Sequence, residues 1–229
     1  MPEISQVVSP GDCNTNQPES VSSSLLRTVR LIVVVEGFFD VEFLTRISRI
    51  LHDHDPQVPD LQELERSGEI LFLPIAGSNF LHWTHRLAGL GLSELHILDR
   101  EIAPLTEERE RAAELVNQRP GCRAVLTSKR AMENYLSPQA LKEARGIDVH
   151  FGDRDDVAQL AASCLVKQAG GPDWSELKSR TRRRLRNLAK KWLNSEAADR
   201  MTVERLAERD PAGEVRSWLM TIGRLGSWD

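Results

Sequence analysis

Four carboxylates stand at matching places in this sequence. Glu36 follows the apolar run Leu31 to Val35 and precedes Gly37. Asp99 and Glu101 follow Leu95-His96-Ile97-Leu98, two residues apart, so both can turn toward one point once the chain leaves a pleat. Glu133 lies just past another apolar run, Arg123-Ala-Val-Leu-Thr127, in a segment that also holds the only tyrosine, Tyr135. Carboxylate oxygens are hard ligands that suit Mg²⁺ or Mn²⁺. One such acid alone reads as a solvated loop residue. Three run-ends that between them deliver four acids predict a divalent-ion site, because crowded like charges repel unless a cation holds them.

These acids need elements that bring them together. Leu31 to Val35, rich in β-branched residues, fits a strand buried on both faces, as in a helix-covered parallel sheet. Asp40 opens a helical rhythm of Val41, Leu44, Ile47 and Leu51, so roughly 30–36 reads as strand and 40–53 as helix. Gly37 would let the backbone turn sharply between them. Ile70 to Ile75 is a second strand, ending in Ala76-Gly77-Ser78-Asn79 and a helical pattern through Phe80, Trp83, Leu87 and Leu90. Gly77 would allow close backbone approach, and Ser78 or Asn79 can cap the helix and aim its amides at an anion. The third and fourth strands are Leu95–Leu98 and 123–127, separated by a polar helix from Thr106 to about Arg119. Strands alternating with helices imply a parallel sheet, whose ligands collect beyond the strands' carboxyl ends.

The fold class expected is therefore α/β, a Rossmannoid parallel sheet flanked by helices, with a small C-terminal helical region. Residues 1–27, rich in Ser, Pro, Asn and Gln, read as a disordered tail, 28–150 as the α/β domain and 151–229 as the helical region. His52, Asp53, His54 and Asp55 before Pro56 read as a polar helix end, and His82 and His85 as polar-face residues.

Charge is uneven along the chain. From Glu176 to Lys191 eight basic residues (Lys178, Arg180, Arg182, Arg183, Arg184, Arg186, Lys190, Lys191) face one acid, within a chain of net charge −4. Leu185, Leu188 and Trp192 make one stripe of this segment. A helix packed by it would present guanidinium groups to backbone phosphates, giving salt-sensitive, sequence-tolerant binding of DNA or RNA. Trp174 and Trp192 could stack bases but read mainly as packing residues, Trp218 and Trp228 read as packing or partner surface, and Pro211 suits the first turn of a final helix. Cys13, Cys122 and Cys164 have neither zinc nor disulfide spacing. With no apolar run of membrane length and no signal peptide, the expectation is a cytoplasmic protein.

Val-Val-Val-Glu36-Gly37-Phe-Phe-Asp40, then Ala-Gly77-Ser-Asn79, then Ile-Leu-Asp99-Arg-Glu101 resembles the Toprim domain of topoisomerases, primases and OLD-type nucleases. Lys-Arg-Ala-Met-Glu133-Asn134-Tyr135-Leu is similar to the Arg-x-x-Glu-Asn-Tyr stretch of OLD-family and related phage-defence nucleases. The resemblance covers roughly residues 30–136 and departs at Glu101, where the family has aspartate. It implies that Glu36 is a metal ligand or general acid/base, that Asp99 and Glu101 hold metal, and that Asp40 and Glu133 complete a second ion. Two Mg²⁺ or Mn²⁺ ions would serve phosphodiester hydrolysis. A downstream lysine is implied too, with Lys178, Lys190 and Lys191 as candidates and Lys178 placed with the catalytic set. Topoisomerase action needs a strand-passage domain that a chain of this length is too short to carry, and primase action goes with a zinc ribbon that these cysteines cannot build. The function implied is a metal-dependent nuclease in anti-phage or anti-plasmid defence. The chain has no Gly-x-x-x-x-Gly-Lys-Ser/Thr loop, so an ATPase would be a separate subunit; a homodimer is compatible with all of this. The alternatives are a non-catalytic nucleic-acid-binding or interaction subunit, and a small RNA-processing ribonuclease.

Overall fold

The computed structural model describes residues 29–75 and 80–227. The tail 1–27, Cys13, the turn Gly77-Ser78-Asn79 and Trp228 lie outside the described residues. Strands β1 (Leu31–Val35), β2 (Ile70–Pro74), β3 (Ser93–Leu98) and β4 (Cys122–Leu126) form one parallel sheet in the order β2-β1-β3-β4. Val33 lies opposite Phe72 on one side and Leu95 on the other, and Leu95 opposite Arg123. All of β1 is buried. Leu31, Val33 and Val35 feed one core and Ile32 and Val34 another, as a strand covered on both faces requires.

Helix α1 (Phe38–His54) follows β1 and buries Val41, Leu44, Ile47 and Leu51, the residues of its apolar rhythm. Beyond it the chain forms a short helix, α2 (Leu61–Arg66). Asp60 caps it, its carboxylate accepting from Gln62 N at 2.9 Å. After β2 the expected helix through Leu90 is cut to one turn, α3 (Phe80–Trp83), and a 3₁₀ turn, Ala88–Leu90, ending at left-handed Gly91. Gly89 and Gly91 withdraw helix propensity there, and Leu90 stays exposed. Helix α4 (Leu105–Asn117) then covers the smaller core beside β3 and β4.

Past β4 come a 3₁₀ turn, Met132–Tyr135, and the helices α5 (Pro138–Arg145), α6 (Val157–Gln168) and α7 (Ser179–Trp192). A π-helical turn, Leu193–Ala197, then α8 (Val203–Arg209) and α9 (Glu214–Gly226) complete the described chain. Ala161, Trp192, Leu193, Trp218 and Ile222 lie in the same buried cluster as Leu31, Val33 and Leu95, so the helical region shares the sheet's core. Two local expectations shift. The buried stripe of α7 is Leu185, Ala189 and Trp192, at steps of four and three, and Leu188 is 51% exposed. Pro211 sits ahead of α9, whose start is left-handed Gly213; Asp210 accepts a hydrogen bond from Val215 N at 2.8 Å. Among the described residues no helix is long and apolar enough to cross a membrane.

Candidate metal centre

The carboxyl ends of β1 and β3 lie side by side, and the acids beyond them meet. One carboxylate oxygen each from Glu36, Asp99 and Glu101 lies within 4.8 Å of the others. Opposite oxygens around a magnesium ion are about 4.2 Å apart, so small side-chain shifts would close this set on an ion. The donors are all hard oxygens, as Mg²⁺ or Mn²⁺ requires.

Local structure explains how each acid arrives. Glu36 is the first residue past a buried strand. Gly37, next to it, is extended (φ −151°), and among the described residues a Cβ there would meet nothing closer than 3.9 Å. Its backbone angle does not demand glycine, contrary to the sharp turn expected. Its N–H donates to Asp40 Oδ2 at 2.7 Å, tying the first turn of α1 to the end of β1. The left-handed residue of the site is Glu101 (φ 54°). Its N–H donates to Arg130 O at 2.8 Å and its carboxylate accepts from Arg130 Nε at 3.2 Å. Folding the chain back there lets a side chain one methylene longer than aspartate reach the same point as Asp99, at the strain typical of functional sites.

Asp99 is buried and accepts from Met132 N at 3.2 Å, so the 3₁₀ turn after β4 is fastened to the acid after β3. That turn carries Glu133, also buried. Asn134 steadies it, giving hydrogen bonds to Gly152 O at 2.8 Å and Asp155 O at 3.1 Å. Behind it Tyr135 donates its hydroxyl to Glu214, which also accepts from Ser128 N at 2.8 Å, so the start of α9 braces the loop.

Burial and mutual repulsion govern the electrostatics. Burial, then Glu36 and Asp40, hold Asp99 well above the usual carboxylate range. Asp40 is pushed up to about 7, by burial first and then by Glu133. Glu36 is raised by burial although Arg109 lowers it. Lys190 balances part of this charge. Its Nζ is 3.6 Å from Glu133 Oε1, and Glu133, then Asp99, Asp40 and Glu101 hold its ammonium protonated.

Of the three candidate lysines, the structure brings Lys190 to the acids. Lys178 is exposed at the start of α7, about 18 Å away along the helix axis. Lys191 is exposed and lines another groove, with Leu188 and Trp192. Arg180, Arg183 and Arg184 are exposed, Arg182 is half-buried, and Arg186 pairs with Asp156 at 2.7 Å beside the acid site. Trp192 and Trp218 are buried, so neither is open for base stacking.

Sequence reasoning passed over three residues. Arg109 of α4, 5% exposed, forks onto Glu36 with Nε at 2.7 Å and Nη2 at 3.1 Å from its two oxygens. Asn194, on the π turn, donates to Glu133 Oε1 at 2.9 Å, while its own Oδ1 is buried without a partner among the described residues. Asp156 accepts from Gln159 N at the start of α6 and faces both Arg130 and Arg186. The only local signals were a buried-phase arginine in a polar helix and an interruption of helical rhythm after Trp192.

No family model matches the chain, and no curated protein matches it. Among solved structures the chain is similar to the C-terminal region of the OLD protein of Xanthomonas campestris pv. campestris. The likeness to the structure phased with iodine has TM-score 0.46 and 13% identity over 88% of this chain and 98% of that one. For the structure phased with platinum the values are 0.45 and 12%, over 86% and 95%.

Proposed function

We propose that this chain is a divalent-metal-dependent nuclease of the Toprim type, hydrolysing phosphodiester bonds of DNA or RNA. The observation that supports it best is the meeting of Glu36, Asp99 and Glu101 oxygens within 4.8 Å. Beside them Lys190 and Arg186 project from the end of a basic helix. Glu36, Asp99 and Glu101 would hold one Mg²⁺ or Mn²⁺, and Asp40 and Glu133 would serve a second. Bound there, the ions would supply Lewis acidity and an activated water for in-line displacement at phosphorus.

The chain's own residues do the rest. Lys190 sets a fixed positive charge against the acids, where it can meet an incoming phosphate oxygen. The exposed arginines of α7 contact neighbouring phosphates and hold the strand across the site without reading its bases. Glu36, raised by burial although Arg109 opposes the shift, would hold the ion or exchange a proton with water. The biological setting that fits the motif resemblance is defence against phage or plasmids in the cytoplasm, with a separate ATPase chain.

One observation favours a second reading, a non-catalytic nucleic-acid-binding subunit. Arg109, Arg130 and Lys190 already offset the acids without any ion. Cleavage of plasmid DNA and of structured RNA with Mg²⁺ or Mn²⁺ separates the two. Wild type should cut, and Glu36→Gln and Asp99→Asn should lose at least a hundredfold in rate while still binding nucleic acid. Millimolar Mn²⁺ should also raise the melting temperature of wild type and not of Asp99→Asn. Wild type and both variants behaving alike in both assays would leave the second reading.

A further inference from the structure

The acid that must serve the ion is not free. Both oxygens of Glu36 accept from Arg109, through Nε at 2.7 Å and Nη2 at 3.1 Å. This is the planar two-point pairing that only a guanidinium makes with a carboxylate. The arginine is also anchored from behind. Its Nη1 donates to Leu105 O at 3.2 Å, and its guanidinium lies 5.3 Å from the centre of the buried Phe80 ring. Arg109 thus reaches Glu36 as a preorganised group on the wall of the smaller core.

We propose that Arg109 is an internal counter-cation that competes with the divalent ion for Glu36 and so sets the ion concentration at which the site loads; this rests on the metal-site reading above. A carboxylate offers about four lone-pair positions. The fork takes the two that face it and pulls both oxygens toward α4. In this state the three ligand oxygens lie within 4.8 Å of one another. An ion that gathers them, with oxygens about 2.1 Å from its centre, turns lone pairs of Glu36 away from the fork and lengthens at least one of its bonds to Arg109. Without the arginine the three carboxylates would repel one another in the metal-free protein. The same residue therefore holds the empty site together and opposes its filling.

The test is Mn²⁺ binding by isothermal titration calorimetry on the full chain, for wild type, Arg109→Lys and Arg109→Gln, with melting temperatures in EDTA. Lysine keeps the charge and loses the two-point pairing, whereas glutamine loses both. Both variants should bind Mn²⁺ more tightly than wild type, Arg109→Gln by about tenfold, the scale of a lost charge-assisted pairing. Both should melt lower in EDTA, and saturating Mn²⁺ should close that difference. Arg109→Lys binding like wild type while Arg109→Gln tightens would show a general charge effect and overturn the competition. Unchanged or weaker binding in both variants would overturn it as well, making Arg109 a simple support for Glu36. If Arg109→Gln does not fold in EDTA, Arg109→Lys alone decides between these outcomes. Wild type that binds no Mn²⁺ would sink the metal site itself, a different failure.

Discussion

A buried carboxylate is costly unless something positive stands beside it, and that cost shapes this site residue by residue. Asp40 lies 4% exposed among Glu133, Glu36 and Lys190, its pKa raised from an ordinary 3.8 to about 7. The folded metal-free protein therefore binds more protons than the unfolded chain between about pH 4 and pH 7, and its stability falls as pH rises through that window. Asp99 acts in the same direction. In EDTA the melting temperature should drop from pH 5 to pH 8, and saturating Mg²⁺ or Mn²⁺ should shrink that drop. Asp40→Asn, followed by the same melts, should lose part of the slope while melting near wild type at pH 5. A slope identical to wild type would show that Asp40 ionises as freely in the folded state as in the unfolded one.

At the scale of elements, α7 joins two environments. Its first turns carry the exposed Arg180, Arg183 and Arg184, and its last brings Lys190 to the acids. The π turn that follows places Asn194 against Glu133, and such turns recur where a helix must re-aim a side chain at a functional site. The helix would thus link the proposed strand contacts to the acid pocket through one rigid rod. Replacing Arg182, Arg183 and Arg184 together by glutamine should weaken nucleic-acid binding across sequences. The slope of log affinity against log salt should shrink by about two to three, near one per lost phosphate contact. An unchanged slope, measured by fluorescence anisotropy, would place the phosphate contacts elsewhere. Melting temperature should hardly move, because these arginines anchor no core.

The whole molecule is held by one dominant core that runs from the sheet into the last helix. Val215, Trp218, Leu219 and Ile222 of α9 are at most 3% exposed and pack with β1 and β3 residues, and Tyr135 meets Trp218 edge-on at 5.4 Å. Four such side chains contribute on the order of 8 kcal/mol, comparable to the whole stability of a domain. A chain ending at Asp210 should therefore show no cooperative unfolding transition by circular dichroism. A sharp transition would mean that the sheet stands without α9. Much of this architecture was legible in the sequence, because strand burial and helix periodicity are local patterns. The five buried residues of β1, the acids beyond β1, β3 and β4, and the basic segment could all be read from spacing. So could their grouping into one site, since parallel strands deliver their carboxyl ends to a single edge. Tertiary structure alone decided which lysine joins them, that Arg109 already holds Glu36, that Asn194 touches Glu133, and that Glu101 rather than Gly37 bears the left-handed backbone. Each of those facts depends on the rotation of one element against another across tens of residues of chain. Side-chain periodicity fixes the face of a helix that is buried, but the partner that face meets is set only when the core closes.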